Sequence, residues 1–161
     1  MKLAIVAFIG FISFNEILAS IDQTCIQKGQ SGNCDFYQCF ESRRQCGWSG
    51  YLIGYGSKFC NKFKTYYNSF TQAGKNWIDC VRLCLTKKLV GKYQEPFGSV
   101  QHCEKLKIVA FDTHASCYLD CGLCSIYDSN TLALNRVYDA SDSLTSDAVK
   151  QLKDVAASCR S

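Results

Sequence analysis

The chain has 161 residues, twelve of them cysteine, with 47% hydrophobic and 13% aromatic side chains and a formal net charge of +4. This composition excludes disorder, and an even, dense set of cysteines behind an export signal excludes a cytosolic thiol enzyme. One domain fits the length.

Taken in chain order, the first feature is an apolar run, residues 3–14 (LAIVAFIGFISF), behind a lone Lys2. It is too short to span a membrane and is followed by small residues at Ala19 and Ser20. Residues 1–20 are therefore expected to be a cleaved signal peptide, and 21–161 a single secreted, extracellular domain. No later hydrophobic run reaches the length of about 18 residues that a span needs. All twelve cysteines follow the leader, from Cys25 on. They predict six disulfides with no thiol left over for a covalent dimer.

Strand signals are sparse and Pro96 is the sole proline. The expectation is an all-α fold, a small disulfide-rich helical bundle of about four to five helices. Over 55–70, Tyr55, Phe59, Phe63, Tyr66, Tyr67 and Phe70 recur at helical spacing, with Lys58, Asn61, Lys64 and Asn68 off the stripe. The segment 76–90 sets Trp77, Cys80, Val81 and Cys84 on one face. Gly91 and Pro96 interrupt, and Ser99 is placed to cap a third long helix. The stretch 125–143 fits a loop or a short helix. Leu144, Ala148, Leu152, Val155 and Cys159 form a last stripe, with Asp142 or Ser143 at its cap.

The third helix is the most informative. Cys103, Leu106, Ala110, Cys117, Cys121 and Cys124 fall within an arc of about 60° at 100° per residue, provided the helix passes Gly122. On the preceding helix Cys80 and Cys84 are an i, i+4 pair. A short connection favours antiparallel packing, in which Cys80 meets Cys121 and Cys84 meets Cys117. Spacing alone leaves other pairings open.

Several patterns invite a chemical reading. Cys121-Gly-Leu-Cys124 has redox or half-zinc spacing, but neither a βαβ context nor a second CxxC accompanies it, so structural bridges are expected and no metal or cofactor. A secreted phospholipase would match in size and cysteine density, and the glycine-rich run from Cys46 to Gly56 superficially resembles a calcium loop. The chain has no Cys-Cys and no His-Asp dipeptide, so the glycines are expected to serve a loop needing positive φ. His102 and His114 are isolated and expected on the solvent side of their helix. There is no GxSxG, HExxH or P-loop. No catalytic residue is assigned, and a non-enzymatic protein is expected.

Charge is uneven: eight basic residues (Lys58, Lys62, Lys64, Lys75, Arg82, Lys87, Lys88, Lys92) stand against Asp79 alone between 58 and 92. Such a stretch is either a solvated helix surface or a face for an acidic partner. Lys58, Lys62, Lys64, Lys87, Lys88 and Lys92 are the candidate partner-binding residues, with the exposed parts of the Gly47–Gly56 loop. An exported chain is not expected to bind nucleic acid. No N-x-[ST] sequon occurs.

The cysteine ladder resembles that of the stanniocalcins, secreted hormone-like proteins. Eight residues separate Cys25 from Cys34, four lie before Cys39, and twenty-three separate Cys60 from Cys84. Thirteen separate Cys103 from Cys117, six lie before Cys124, and thirty-four precede Cys159. Cys34-Asp-Phe-Tyr-Gln-Cys39-Phe-Glu, Phe70-Thr-Gln-Ala-Gly-Lys75 with Trp77 and Ile78, and Cys124-Ser-Ile accompany the ladder. The resemblance implies pairing of Cys25 with Cys39, Cys34 with Cys60, Cys46 with Cys103, Cys84 with Cys117 and Cys124 with Cys159. Cys80 and Cys121, which the family pattern lacks, are then left for each other.

The resemblance also implies a role in calcium and phosphate homeostasis through a cell-surface receptor, or inhibition of a papalysin-type metalloproteinase. The scaffold would equally suit a cysteine-rich venom, salivary or defence binding protein. The family's dimer-forming cysteine lies beyond the last intrachain bridge, and this sequence ends two residues after Cys159. A covalent homodimer is therefore not expected, while a non-covalent one remains compatible. Glu41-Ser42-Arg43-Arg44 stands where the family usually has a sequon, and the Cys46–Cys60 loop is longer than the family's.

Overall fold

A computed structural model describes residues 21–96, 101–138 and 151–160. The expected signal peptide, the Ser99, Asp142 and Ser143 caps, Leu144 and Ala148 lie outside the described residues. Among the described residues all regular structure is helical, and seven α-helices replace the four to five expected. The additional ones come from the N-terminal segment and from a break after Asp120.

α1 (Gln23–Gln30) starts at Asp22, whose carboxylate accepts the Thr24 amide at 2.8 Å. α2 (Asp35–Arg44) ends where Gln45 turns left-handed, φ 55°. At eight and ten residues, neither is long enough to stand without tertiary packing. The aromatic stripe over 55–70 is not one helix. Tyr51–Ser57 is π-helical, α3 (Lys58–Thr65) continues it, and Tyr67–Ser69 is a 3-10 turn. Of the glycines in the preceding run only Gly47 takes a positive φ, +83°. Gly56 instead allows close approach, since a Cβ there would lie 2.4 Å from the Tyr37 ring of α2.

α4 (Gln72–Gln94) is longer at both ends than its apolar period suggests, because other elements cap it. At the N-terminus Thr71 accepts the Gly74 amide (3.1 Å) and Asn130 Oδ1 accepts the Thr71 amide (2.8 Å). At the C-terminus the last carbonyls of a helix lack intrahelical donors. Two buried arginines from α2 supply them: Arg43 donates to Tyr93 O (3.0 Å) and Glu95 O (3.1 Å), and Arg44 to Lys92 O, Glu95 O and Pro96 O. Their guanidinium groups also lie over the rings of Tyr93 and Phe40, 5.6 and 5.7 Å from the centroids.

α5 (Gln101–Asp120) packs along α4, and α6 (Leu123–Val137) follows. The expected continuation of α5 to Cys124 does not occur. Gly122 adopts φ +91° and its amide closes back on Leu119 O (2.9 Å), ending α5 with a left-handed turn. The stretch read as loop or short helix is α6 up to Val137. α7 covers 151–157 and runs into a 3-10 turn at Ser158–Arg160.

The core is aromatic. Phe36, Phe40 and Tyr93 pack where α2 meets the end of α4, and Phe63, Trp77 and Tyr138 where α3, α4 and α6 converge. Trp77 donates its indole N–H to Tyr118 O (3.2 Å), satisfying one carbonyl in the last turn of α5. Two glycines give opposite expectations. Gly56→Ala drives a methyl into the Tyr37 ring and should lower the unfolding free energy by about 1–3 kcal/mol. Gly91→Ala, where a Cβ meets nothing within 4 Å, should raise it by about 0.5–1 kcal/mol. Denaturant titration of both oxidised variants checks the pair.

Candidate functional site

Six disulfides cross-link the helices: Cys25–Cys39, Cys34–Cys60, Cys46–Cys103, Cys80–Cys121, Cys84–Cys117 and Cys124–Cys159. Among the described residues no cysteine is free. The order of the pairs joining α4 to the end of α5 makes these helices antiparallel. Cys103 and Cys117 leave α5 itself, and Cys121 leaves the turn after it. Cys124 leaves the first turn of α6, because Gly122 has redirected the chain. The single cysteine face expected over 103–124 is thus divided between two helices.

His114 is not on the solvent side. It is 1% exposed, enclosed by Tyr51, Tyr55, Phe111 and Tyr118, and its ring stacks on Tyr118 at 7° between planes. At 100° per residue it falls about 20° from Cys103 and Cys121, so the phase that located the cysteine face also buries His114. Both ring nitrogens are engaged. Gln151 of α7 donates Nε2 to Phe111 O (2.8 Å), which turns its Oε1 toward His114 Nδ1 (3.0 Å). Nδ1 therefore carries the proton, and Nε2 accepts the Tyr51 hydroxyl (3.0 Å). Burial lowers the pKa to about 4, against the opposing pull of Gln151. The Tyr51, Tyr118 and Tyr138 hydroxyls are pushed up by burial and remain protonated.

This arrangement joins α7, α5 and the π-helical segment. A cavity of about 30 Å³ beside it holds no more than about one water, so the cluster is packing and offers no substrate space. His102 is exposed. Among the described residues no three His, Cys, Asp or Glu side chains are grouped to hold a metal ion. No helix is long and apolar enough to cross a membrane among them.

The basic residues separate into groups. Lys58 and Lys62 converge over the Phe59 ring at 5.8 and 5.6 Å. Burial, and then the Lys62 ammonium, lower the Lys58 pKa. Lys64 is exposed and lies away from them on the helical wheel of α3. On α4, Lys88 donates to Ser116 of α5 (2.7 Å) and Lys92 pairs with Glu95 (2.5 Å), while Lys87 is exposed. In the Gly47–Gly56 segment only the tip is exposed: Trp48 is 87% accessible, while Tyr51, Leu52 and Tyr55 are core.

The sequence model of the Stanniocalcin family matches residues 15–161, nearly the whole chain. No curated protein and no solved structure matches.

Two outcomes follow from the site. The His114 pKa in the fold lies below the ordinary value of 6.5, so its stabilisation is complete above pH 6.5 and is lost as pH falls toward about 4. The amount at stake is on the order of 3 kcal/mol. Chemical denaturation across that window should show a steeper loss for the parent than for His114→Gln. Replacing Cys80 and Cys121 together by Ala should leave the α4–α5 pair joined through Cys84–Cys117 and cost roughly 2–4 kcal/mol, measured by denaturation with the remaining bridges oxidised.

Proposed function

The chain belongs to the stanniocalcin family, and on that footing we propose that it is a secreted, non-enzymatic, hormone-like signalling protein. The observation that carries the proposal is the match across nearly the entire chain, which takes in all twelve cysteines. Disulfides in this number persist outside the cell, where glutathione does not reduce them. A body whose helices are covalently fixed loses little conformational freedom when it docks, which favours action through surface recognition.

The finer reading is that it regulates calcium and phosphate handling by binding a cell-surface receptor or an extracellular metalloproteinase of the papalysin type. Its contacts would be the exposed lysines, Lys64 and Lys87 first, together with Lys58, Lys62, Lys88 and Lys92 and the Trp48 tip. An exposed tryptophan on a loop anchored by the Cys46–Cys103 bridge is a ready anchor for a partner's pocket.

Expression of the full chain in a secretory cell should deliver protein to the medium without residues 1–20. Applied to a transporting epithelium, the oxidised protein should change calcium or phosphate uptake, and the reduced and alkylated protein should not. Unchanged flux with oxidised protein overturns the hormone reading. Lys64→Glu with Lys87→Glu should weaken the response by about tenfold, the effect of losing roughly 1.4 kcal/mol of binding, without shifting thermal stability.

A further inference from the structure

Away from the aromatic cluster, a cleft of about 330 Å³ opens between the C-terminal end of α4 and the first turns of α5. That volume lies at the lower end of small-molecule sites, about 300–1,000 Å³. Its lining combines two chemistries. Arg44, Lys92 and Lys105 stand against the single carboxylate of Glu95, with His102 beside them. Leu106, Ile108 and Val109 form an apolar wall.

The charges are not all neutralised internally. Glu95 is taken by Lys92, and the Arg44 guanidinium is held in place by backbone carbonyls, so it contributes a fixed positive charge. Lys105 makes no ion pair among the described residues and reaches from the start of α5, the end whose helix dipole is positive. The wall beside these cations is covered unevenly: Leu106 is buried and Val109 half-buried, but Ile108 is 60% exposed. A hydrophilic polyanion would satisfy the cations and leave the isoleucine in water. A neutral lipid would cover the wall and leave Lys105 without a partner.

We propose that this cleft binds a small anionic amphiphile, with a carboxylate or phosphate head toward Lys105 and Arg44 and an aliphatic tail along Leu106, Ile108 and Val109. Burial of the tail supplies affinity in proportion to the apolar area removed from water, and the head fixes orientation. The proposal does not rest on the hormone reading, with which the cleft shares only Lys92.

Calorimetric titration of the oxidised protein with laurate and with dodecyl phosphate, both below their micellar concentrations, tests it. Dodecyl maltoside serves as the uncharged control and inorganic phosphate as the tailless one. The expected result is saturable binding of both amphiphiles at one site, at least about tenfold tighter than either control. Lys105→Glu and Ile108→Asp, both at exposed positions, should each weaken binding by about tenfold or more. Lys64→Glu on α3 should not, and circular dichroism should be unchanged in all three.

Tighter binding of one amphiphile than the other identifies the head group and leaves the proposal standing. No saturable binding, binding that both cleft substitutions leave intact, or inorganic phosphate binding as tightly as dodecyl phosphate overturns it. So does association with phosphatidylserine vesicles in the absence of any monomer binding.

Discussion

Two disulfides one helical turn apart hold α4 and α5 together, and the remaining elements are positioned on that pair. A single bridge would leave the helices free to pivot about it. Cys80–Cys121 and Cys84–Cys117 lie about 6 Å apart along the axis and fix both the crossing and the register. α1 then docks closely on α4 through Gly29. A Cβ on Gly29 would lie 2.5 Å from Val90, and the Gly29 and Gly32 carbonyls accept from Thr86 and Arg82 of α4. The π-helical segment and α7 meet α5 on opposite nitrogens of His114.

Polar side chains complete what the bridges begin. A domain of this size buries only about two-thirds of the surface its unfolded chain exposes, so the hydrophobic core alone leaves a narrow margin. Disulfides act chiefly by restricting the unfolded chain. Arg43, Arg44 and Asn130 act on the folded one, by giving the ends of a 23-residue helix the partners its backbone lacks. Asn130 is 3% exposed and still fully engaged, donating to Ile126 O and Thr71 Oγ1 while accepting from the Thr71 amide. The arginine end is less complete, since Arg43 Nη1 is buried without a hydrogen-bond partner.

Helical class and the face of the α4–α5 contact were legible because apolar and cysteine periods extend over several turns. Four things were not. The N-terminal helices are too short to show a period, and their formation depends on Phe36, Phe40 and Ile26 finding the core. The end of α5 depends on one residue, Gly122, which is compatible with helix until its φ is known. The burial of His114 was available in the helical phase, but an isolated histidine is ordinarily read as a surface residue. Arg43 and Arg44 stand in sequence only as part of the stretch that replaces the family's sequon, while their carbonyl partners lie some fifty residues downstream. Long-range capping of this kind leaves no local pattern. For the site, the six lysines share a stretch of sequence but divide between two helices, since α3 and α4 are separated by a turn at Tyr67–Ser69.

The bridges also decide what a protease can accomplish. Cys46–Cys103, Cys80–Cys121 and Cys84–Cys117 all pass from one side of the α4–α5 connection to the other. Hydrolysis of any one peptide bond between Cys84 and Cys103 therefore yields two fragments that stay married through three covalent links. Such a nicked molecule would gain only the mass of one water and hold its fragments together, and the wound would become visible only once the sulfurs were reduced.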